Sequence, residues 1–168
     1  MASILKVNTI QDATNSNTAL SIDSTGRITE PNKPAFQIQY NSQNSLDFSS
    51  GVALSGTAYY NSSTLQEQGG SNFDISTGHY VMPVSGFYFF HVGIRLDNFA
   101  GSYIYITLDG TKQIGRYLSS VQSTYINPTV SAAAQFTAGQ HVRVRINSVG
   151  DSSVNMNADS YFQGFLIG

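Results

Sequence analysis

Cysteine is absent from the 168 residues, which excludes disulfides, thiolate metal sites and a cysteine nucleophile. Charge is scarce as well: Asp, Glu, Lys and Arg make up 11% of the chain, against about 25% in an average globular protein. A net charge of −2, with Lys6, Arg27, Lys33, Arg95, Lys112 and Arg116 scattered, gives none of the basic footprint that nucleic acid requires. No apolar run approaches the roughly 18 residues of a membrane helix, so membrane insertion is not expected. Helical periodicity is nearly missing. The opening MASILKVNTI lacks the basic and apolar blocks of a secretory leader, and none is expected.

Ser, Asn, Thr, Gln and Gly fill the gap, together with ten Tyr and ten Phe. Such aromatic content separates the chain from disordered polar sequences. Its length suits one domain with a real core and is too short for two comfortable ones. The apolar residues come in short runs punctuated by Gly, Asn-Ser and Asp-Gly, which predicts an all-β sandwich. Strands are expected over 36–40, 52–60, 78–81, 86–96, 103–108, 111–117, 129–136, 141–147 and 161–167. Asp109 and Gly110 are expected to turn a hairpin, because Gly takes the positive φ of a primed turn at little cost. TAGQ at 137–140 reads as another turn.

Residues 1–33 read differently. ILKVNTI predicts one short strand, and ALSIDSTGRIT predicts a hairpin turning around 24–26. Leu5, Val7, Ile10, Leu20, Ile22 and Ile28 are too few to form a core alone. Pro31 and Pro34 then stiffen the junction to a domain over 34–168. This piece is expected to be an arm that packs on sister chains or on a larger assembly.

GFYFFHVGIRL, residues 86–96, poses the sharpest question. Tyr88, Phe90, Val92, Ile94 and Leu96 fall on one side of an extended chain, but Phe87, Phe89 and His91 fall on the other. A strand covered on one face only reads apolar, polar, apolar. YFQGFLI repeats the anomaly, with Phe162 and Leu166 on one face and Tyr161, Phe165 and Ile167 on the other. Two strands apolar on both faces would expose a large patch in a monomer. Burial of Phe87, Phe89, His91, Tyr161, Phe165 and Ile167 between subunits is the expectation, with Tyr88, Phe90, Val92, Phe162 and Leu166 in the core.

Candidate chemistry is thin. His79, His91 and His141 lack the spacing of a metal site, and no cofactor is expected. GDS at 150–152 is an ordinary turn composition with no assignable base or oxyanion arrangement. Asn61, Ser62 and Ser63 fit a glycosylation acceptor and equally a polar loop. Asp97, Asp109 and Asp151 lie in or beside turns without a clustered calcium-ligand pattern. Arg143 and Arg145 share a face opposite Val142, Val144 and Ile146; they mark a solvated face, a threefold axis or an anion site. Tyr103 and Tyr105 share a face suited to an interface or an outer binding surface. The loops 97–102 and 119–128, with Asn98, Phe99, Ser102, Tyr125 and Asn127, have the Ser, Asn, Tyr and Gly content of adaptable contact surfaces.

Several blocks carry a family resemblance. Tyr80, five residues, then Gly86, Tyr88 and Phe90, preceded by NFDISTG, resembles the core of the C1q motif. PAFQIQY, YITLDGTK, AAAQFTAGQHVRVRI and SYFQGFLIG resemble further blocks of the C1q/TNF-like family in the right order. Tyr80 stands for the commoner Phe, and Gln140 for the usual turn Asp. The resemblance implies a ten-stranded jelly roll assembled as a trimer, with termini at the base and loops at the apex. Residues 2–28 resemble the leading segment of virion structural proteins of tailed bacteriophages from marine and freshwater hosts, cyanophages among them. Together these imply a non-enzymatic virion-surface protein made in the host cytoplasm. Its expected partners are its own copies, other virion proteins through the arm, and a host-surface glycan or protein. A tail-fibre or short-fibre adhesin is the first reading, and a capsid decoration or head-fibre protein the alternative.

Overall fold

In the computed structural model the described residues are 6–14, 16–99, 103–119, 123–149 and 153–168. The N-terminal piece forms β1 (Thr9–Gln11), β2 (Thr18–Ile22) and β3 (Ile28–Thr29). The domain begins with β4 (Ala35–Gln39), β5 (Gln43–Leu46), β6 (Val52–Ala53), β7 (Gln66–Gln68), β8 (Phe73–Asp74) and β9 (His79–Val81). It continues with β10 (Gly86–Gly93), β11 (Leu96–Phe99), β12 (Tyr103–Gly110), β13 (Gly115–Ser119), β14 (Ser123–Ile126) and β15 (Thr129–Phe136). β16 (His141–Val149), β17 (Val154–Met156) and β18 (Tyr161–Leu166) complete it, and the one helical element among the described residues is a 3-10 turn at Ser62–Thr64.

One sheet runs β15-β10-β18-β4-β7, and a second group runs β14-β11-β17-β5. The matching order shows that four long strands each continue across an interruption at the same height. The opposing sheet runs β13-β12-β16-β9-β8, with β6 attached to β16. Counting each interrupted strand once gives five strands a side, the ten of a jelly roll, beside the short β6. The interruption has identifiable causes. Pro128 offers no N–H, and its carbonyl instead accepts from Ile94 N at 3.0 Å. Buried Ser160 accepts from Arg95 N through its hydroxyl at 2.9 Å and from Tyr40 N through its carbonyl at 2.9 Å. Backbone groups that would lose partners at the break are thereby satisfied.

Alternation places Tyr88, Phe90, Val92, Ile94 and Leu96 in the core between the sheets, with Phe162 opposite them. Leu166 is half-buried against the same cluster. Gly164 in β18 pairs with both Phe90 and Phe36, and a Cβ there would overlap the two rings. The bare backbone at this point lets Phe36 and Phe162 meet edge to face with centroids 4.9 Å apart, while Phe36 stacks on Tyr80 at 4.2 Å.

Three expectations are corrected. Asp109 and Gly110 do not form the turn: they are strand residues paired with Arg143 and Val142, and the chain reverses through 111–114. The salt link from Asp109 to Arg143 belongs to that longer ladder, and Gly110 (φ 149°) packs its bare Cα against the His141 carbonyl. β13 accordingly starts at Gly115 and not at Thr111. Of 52–60 only Val52–Ala53 is a strand, since Gly56 (φ 81°) turns the chain so that Tyr60 bridges Tyr40.

The arm folds as a three-stranded antiparallel sheet, β1-β2-β3. Its hairpin is held by Asp23, which accepts from the Thr25 hydroxyl and from the backbone N–H and guanidinium of Arg27. These bonds hold the Asp23 carboxyl far below the usual carboxylate range. Val7, Ile10, Ile22 and Ile28 stay exposed around a hollow of about 90 Å³ that Leu20 also lines. Leu5 lies outside the described residues. Gln68 Nε2 donates to Glu30 O at 2.7 Å, tying the arm to the edge strand β7, and within the arm Asn32 Nδ2 donates to Thr18 O at 2.9 Å.

Tyr80, where the resembling family commonly has Phe, buries its hydroxyl with no hydrogen-bond partner, and burial pushes its phenol upward. A buried hydroxyl without a partner costs about 1–3 kcal/mol. Tyr80→Phe is therefore expected to raise Tm by several degrees in thermal unfolding, whereas a lower Tm would mean that the hydroxyl is bonded.

Candidate functional site

The outward face of the β15-β10-β18-β4-β7 sheet gathers every residue expected at a subunit boundary. Phe89 stands opposite Phe165 and His91 opposite Gln163, with Tyr161 opposite Gly93. The Phe89 and Phe165 rings lie 5.4 Å apart. Phe87, Phe165 and Ile167 remain 41%, 46% and 48% exposed, which is high for aromatic and aliphatic side chains sitting side by side. Ala133 and Ala35 extend this apolar end across the neighbouring strands. The next row is polar: Gln66, Gln37, Gln163, His91 and Ser131 follow one another across five strands.

His91 is fully engaged within that row. Its Nδ1 lies 2.7 Å from Ser131 Oγ and its Nε2 2.8 Å from Tyr161 OH, so the ring is fixed by both neighbours. The face thus divides into an apolar half next to the chain termini and a hydrogen-bonding half toward the interrupted strands. Sequence alternation identified the face. The glutamine row was invisible to it, because Gln37, Gln66 and Gln163 are brought together only by cross-strand register.

At the interruption itself, where β10, β15 and β18 meet the break, an open cleft of about 470 Å³ is lined by Arg95, Tyr125, Asn127, Thr129, Asp159 and Tyr161, with Gly93 and Ile94. Arg95 is braced by Asp97 (Nε to Oδ1, 3.2 Å) and Asp159 (Nη1 to Oδ2, 2.9 Å), which hold its guanidinium charged. Its Cζ lies 5.4 Å from the centroid of the Tyr125 ring, a cation–π distance that steers an exposed aromatic face toward the opening. Of the residues expected to contact a receptor, Tyr125 and Asn127 line this cleft. Asn98 is exposed with a positive φ of 59° and stands outside it. Ser102 and the side chain of Phe99 lie outside the described residues. Arg95 and Asp159 carry no signal in the sequence, being 64 positions apart.

The opposing sheet shows a second arrangement that spacing concealed. His79 of β9 and His141 of β16 stack with centroids 4.1 Å apart. Burial chiefly, then the neighbouring His141 and Arg143, lowers the His79 pKa, with Asp74 and Asp109 opposing. Arg143 and Arg145 share the outer face, and both reach Asp109, at 3.3 and 3.8 Å. Asp97 and Asp109 are thus taken up by arginines. No group of three or more His, Asp or Glu among the described residues is placed to hold a metal. Asp151 and the GDS stretch lie outside the described residues, as do the side chains of Tyr103 and Tyr105. Asn61 caps the 3-10 turn, its side-chain oxygen accepting from Ser63 N.

Comparison with known proteins agrees with this architecture. A family model described as the C1q domain matches residues 35–167. Among solved structures, the globular domain of the zebrafish complement 1qA protein superposes with a TM-score of 0.55 at 20% identity, over 81% of this chain and 98% of that one. At that identity the likeness is one of fold. No curated protein sequence matches. Proteins with this domain commonly form homotrimers and are generally non-enzymatic.

The stacked histidines give a pH dependence whose sign is fixed. Because the folded state lowers the His79 pKa from its ordinary 6.5, the unfolded chain takes up the proton more readily. Its contribution is undiminished above pH 6.5 and declines as pH falls below that value toward the depressed one. Melting curves from pH 7.5 down to about 5.5 should show Tm falling, and His79→Gln should flatten the slope. Parallel slopes for the two proteins would remove His79 from the account.

Proposed function

The chain belongs to the C1q domain family, and from that premise we propose that it is a non-enzymatic structural protein of a tailed-bacteriophage virion. In this reading it is a homotrimeric tail-fibre or short-fibre adhesin, anchored by residues 1–33 and touching the host surface with the end that carries Tyr125 and Asn127. The observation that carries the assembly is the outward face of β10 and β18. Phe87, Phe89, Phe165 and Ile167 form a contiguous patch on a sheet whose inner face is already the core. Burying what remains exposed of each contributes roughly 1 kcal/mol, and a threefold arrangement repeats the gain in every copy. The amides of Gln37, Gln66 and Gln163 give such an interface hydrogen bonds that fix its register.

Two further features support the placement in a particle. The arm keeps Val7, Ile10, Ile22 and Ile28 on the surface although it has too little mass for a core, as expected of a segment that docks on another protein. The cleft at the interruption offers an aromatic face, an amide and a braced guanidinium, groups suited to a glycan or a protein surface. The arm would equally serve a capsid decoration protein, and the two readings differ in where the protein sits. Labelling virions with an antibody against the domain separates them: tail labelling supports the adhesin, and head-only labelling overturns it in favour of decoration.

Assembly has its own test. Sedimentation of the full chain should give a trimer, and Phe89→Glu with Phe165→Glu should give a folded monomer, because six carboxylates would crowd one apolar interface. A monomeric parent chain would overturn the account of the outward aromatic face.

A further inference from the structure

The sheet of the arm has two unlike faces. Register sets Ile10 opposite Leu20 and Ile22 opposite Ile28, so these four side chains share one face, and Val7 adjoins them. On the other face Ser21 stands opposite Thr29, with their hydroxyl oxygens 2.6 Å apart. The hydroxyl face is suited to water and the aliphatic face is not. Val7, Ile10, Ile22 and Ile28 are 36%, 48%, 38% and 66% exposed around their small hollow. Aliphatic side chains gathered on one side of so small a sheet require a cover.

The root of the arm, its charge and its size say what that cover is. Pro34 O accepts from Leu166 N at 2.9 Å, and Ala35 stands opposite Phe165, so the arm leaves the domain at the apolar end of the outward face. Gln68 bonds to Glu30, and the bare Cα of Gly69 sits against the Asn32 carbonyl, which together hold the arm to its own domain. A symmetry axis that joins the outward faces of several copies therefore gathers their arms as well. Residues 1–33 carry three cations, Lys6, Arg27 and Lys33, and three anions, Asp12, Asp23 and Glu30. Arg27 is paired with Asp23, and Lys33 with Glu30. Such an arm meets copies of itself without repulsion and has no net charge to draw it to a charged foreign partner. Its five aliphatic side chains also fall far short of the roughly 20–30 residues that each partner of a free-standing complex contributes. Copies already held side by side escape that requirement, because tethering raises their local concentration to about the millimolar range.

We propose that the aliphatic face of the arm is a second self-association surface, on which Ile10, Leu20, Ile22 and Ile28 of sister copies close against one another. The inference rests on the homotrimer proposed above and gives its arm a role within it. Three arms form a common apolar stem at the root of the domains, and their hydroxyl faces turn outward to whatever the stem is mounted on. Loss of the stem leaves the trimer of domains in place but easier to dissociate.

The absence of cysteine makes labelling site-specific. Full-length protein carrying Ile28→Cys or Thr29→Cys is labelled with a pyrene maleimide and followed by sedimentation and fluorescence. A trimer is expected, with pyrene excimer emission from position 28 and little from position 29, since neighbouring residues of a strand point to opposite faces. Unlabelled protein with Ile10→Ser and Ile28→Ser should come apart on dilution at a concentration about tenfold or more above the parent's. Circular dichroism of each variant checks that the fold is kept. A trimer without excimer emission at position 28, equal emission at the two positions, or parent-like dissociation of the double variant would each overturn the stem and leave the trimer of domains standing. A monomeric parent chain would overturn the trimer itself, and the stem with it.

Discussion

The contact of two aromatic rings with the bare backbone of Gly164 sets the distance on which the rest of the domain depends. Phe36 and Phe90 press on that glycine from the flanking strands, and a single methyl group there would push both away. With the rings seated, Tyr80 can stack on Phe36 from the opposite sheet, and Phe162 can meet Phe36 edge to face. Strand periodicity does the rest. Once Phe90 and Phe162 point inward, Phe89, His91, Tyr161 and Phe165 must point outward. The character of the outer surface thus follows from the packing of the inner one.

A second constraint acts at one height across the sheet. Four strands break together, where Pro128 cannot donate and where Ser160 supplies both a hydroxyl and a carbonyl to its neighbours. Below the break the sheet is long, regular and aromatic. Above it the strands are short, and the side chains that matter are Arg95, Asp97, Tyr125 and Asp159, held by ion pairs and a cation–π contact. The domain separates a part that packs from a part that presents.

Most of the packing part was legible in the sequence. Alternation in GFYFFHVGIRL and YFQGFLI assigned the inner and outer faces correctly, because a strand's period is fixed by its backbone and needs no partner to be read. The hairpin around Thr25 was legible for a similar reason, since its Asp and Gly act within five residues. What failed were features decided by a neighbour. Asp109 and Gly110 look like a turn until Arg143 on the next strand draws them into the ladder. The segment after Ala53 looks like a strand until Gly56 turns it. His79 and His141, or Arg95 and Asp159, meet only through register and packing. Arg143 and Arg145 could be seen to share a face, but Arg116 joins them only when β12 is laid between.

The common break in the four strands has one more consequence. Ser160 gives a hydroxyl and a carbonyl to neighbouring backbone at the break, while Ile94, Leu96, Val154 and Met156 carry the apolar core straight through it. The upper portion is therefore held to the body by its inward side chains, and its outward side chains are the ones at liberty to change. Those can be exchanged while the aromatic body, packed around Gly164, is left as it was. A lineage under pressure to alter what it presents could therefore diversify quickly at one end of a module whose other end is inherited unchanged.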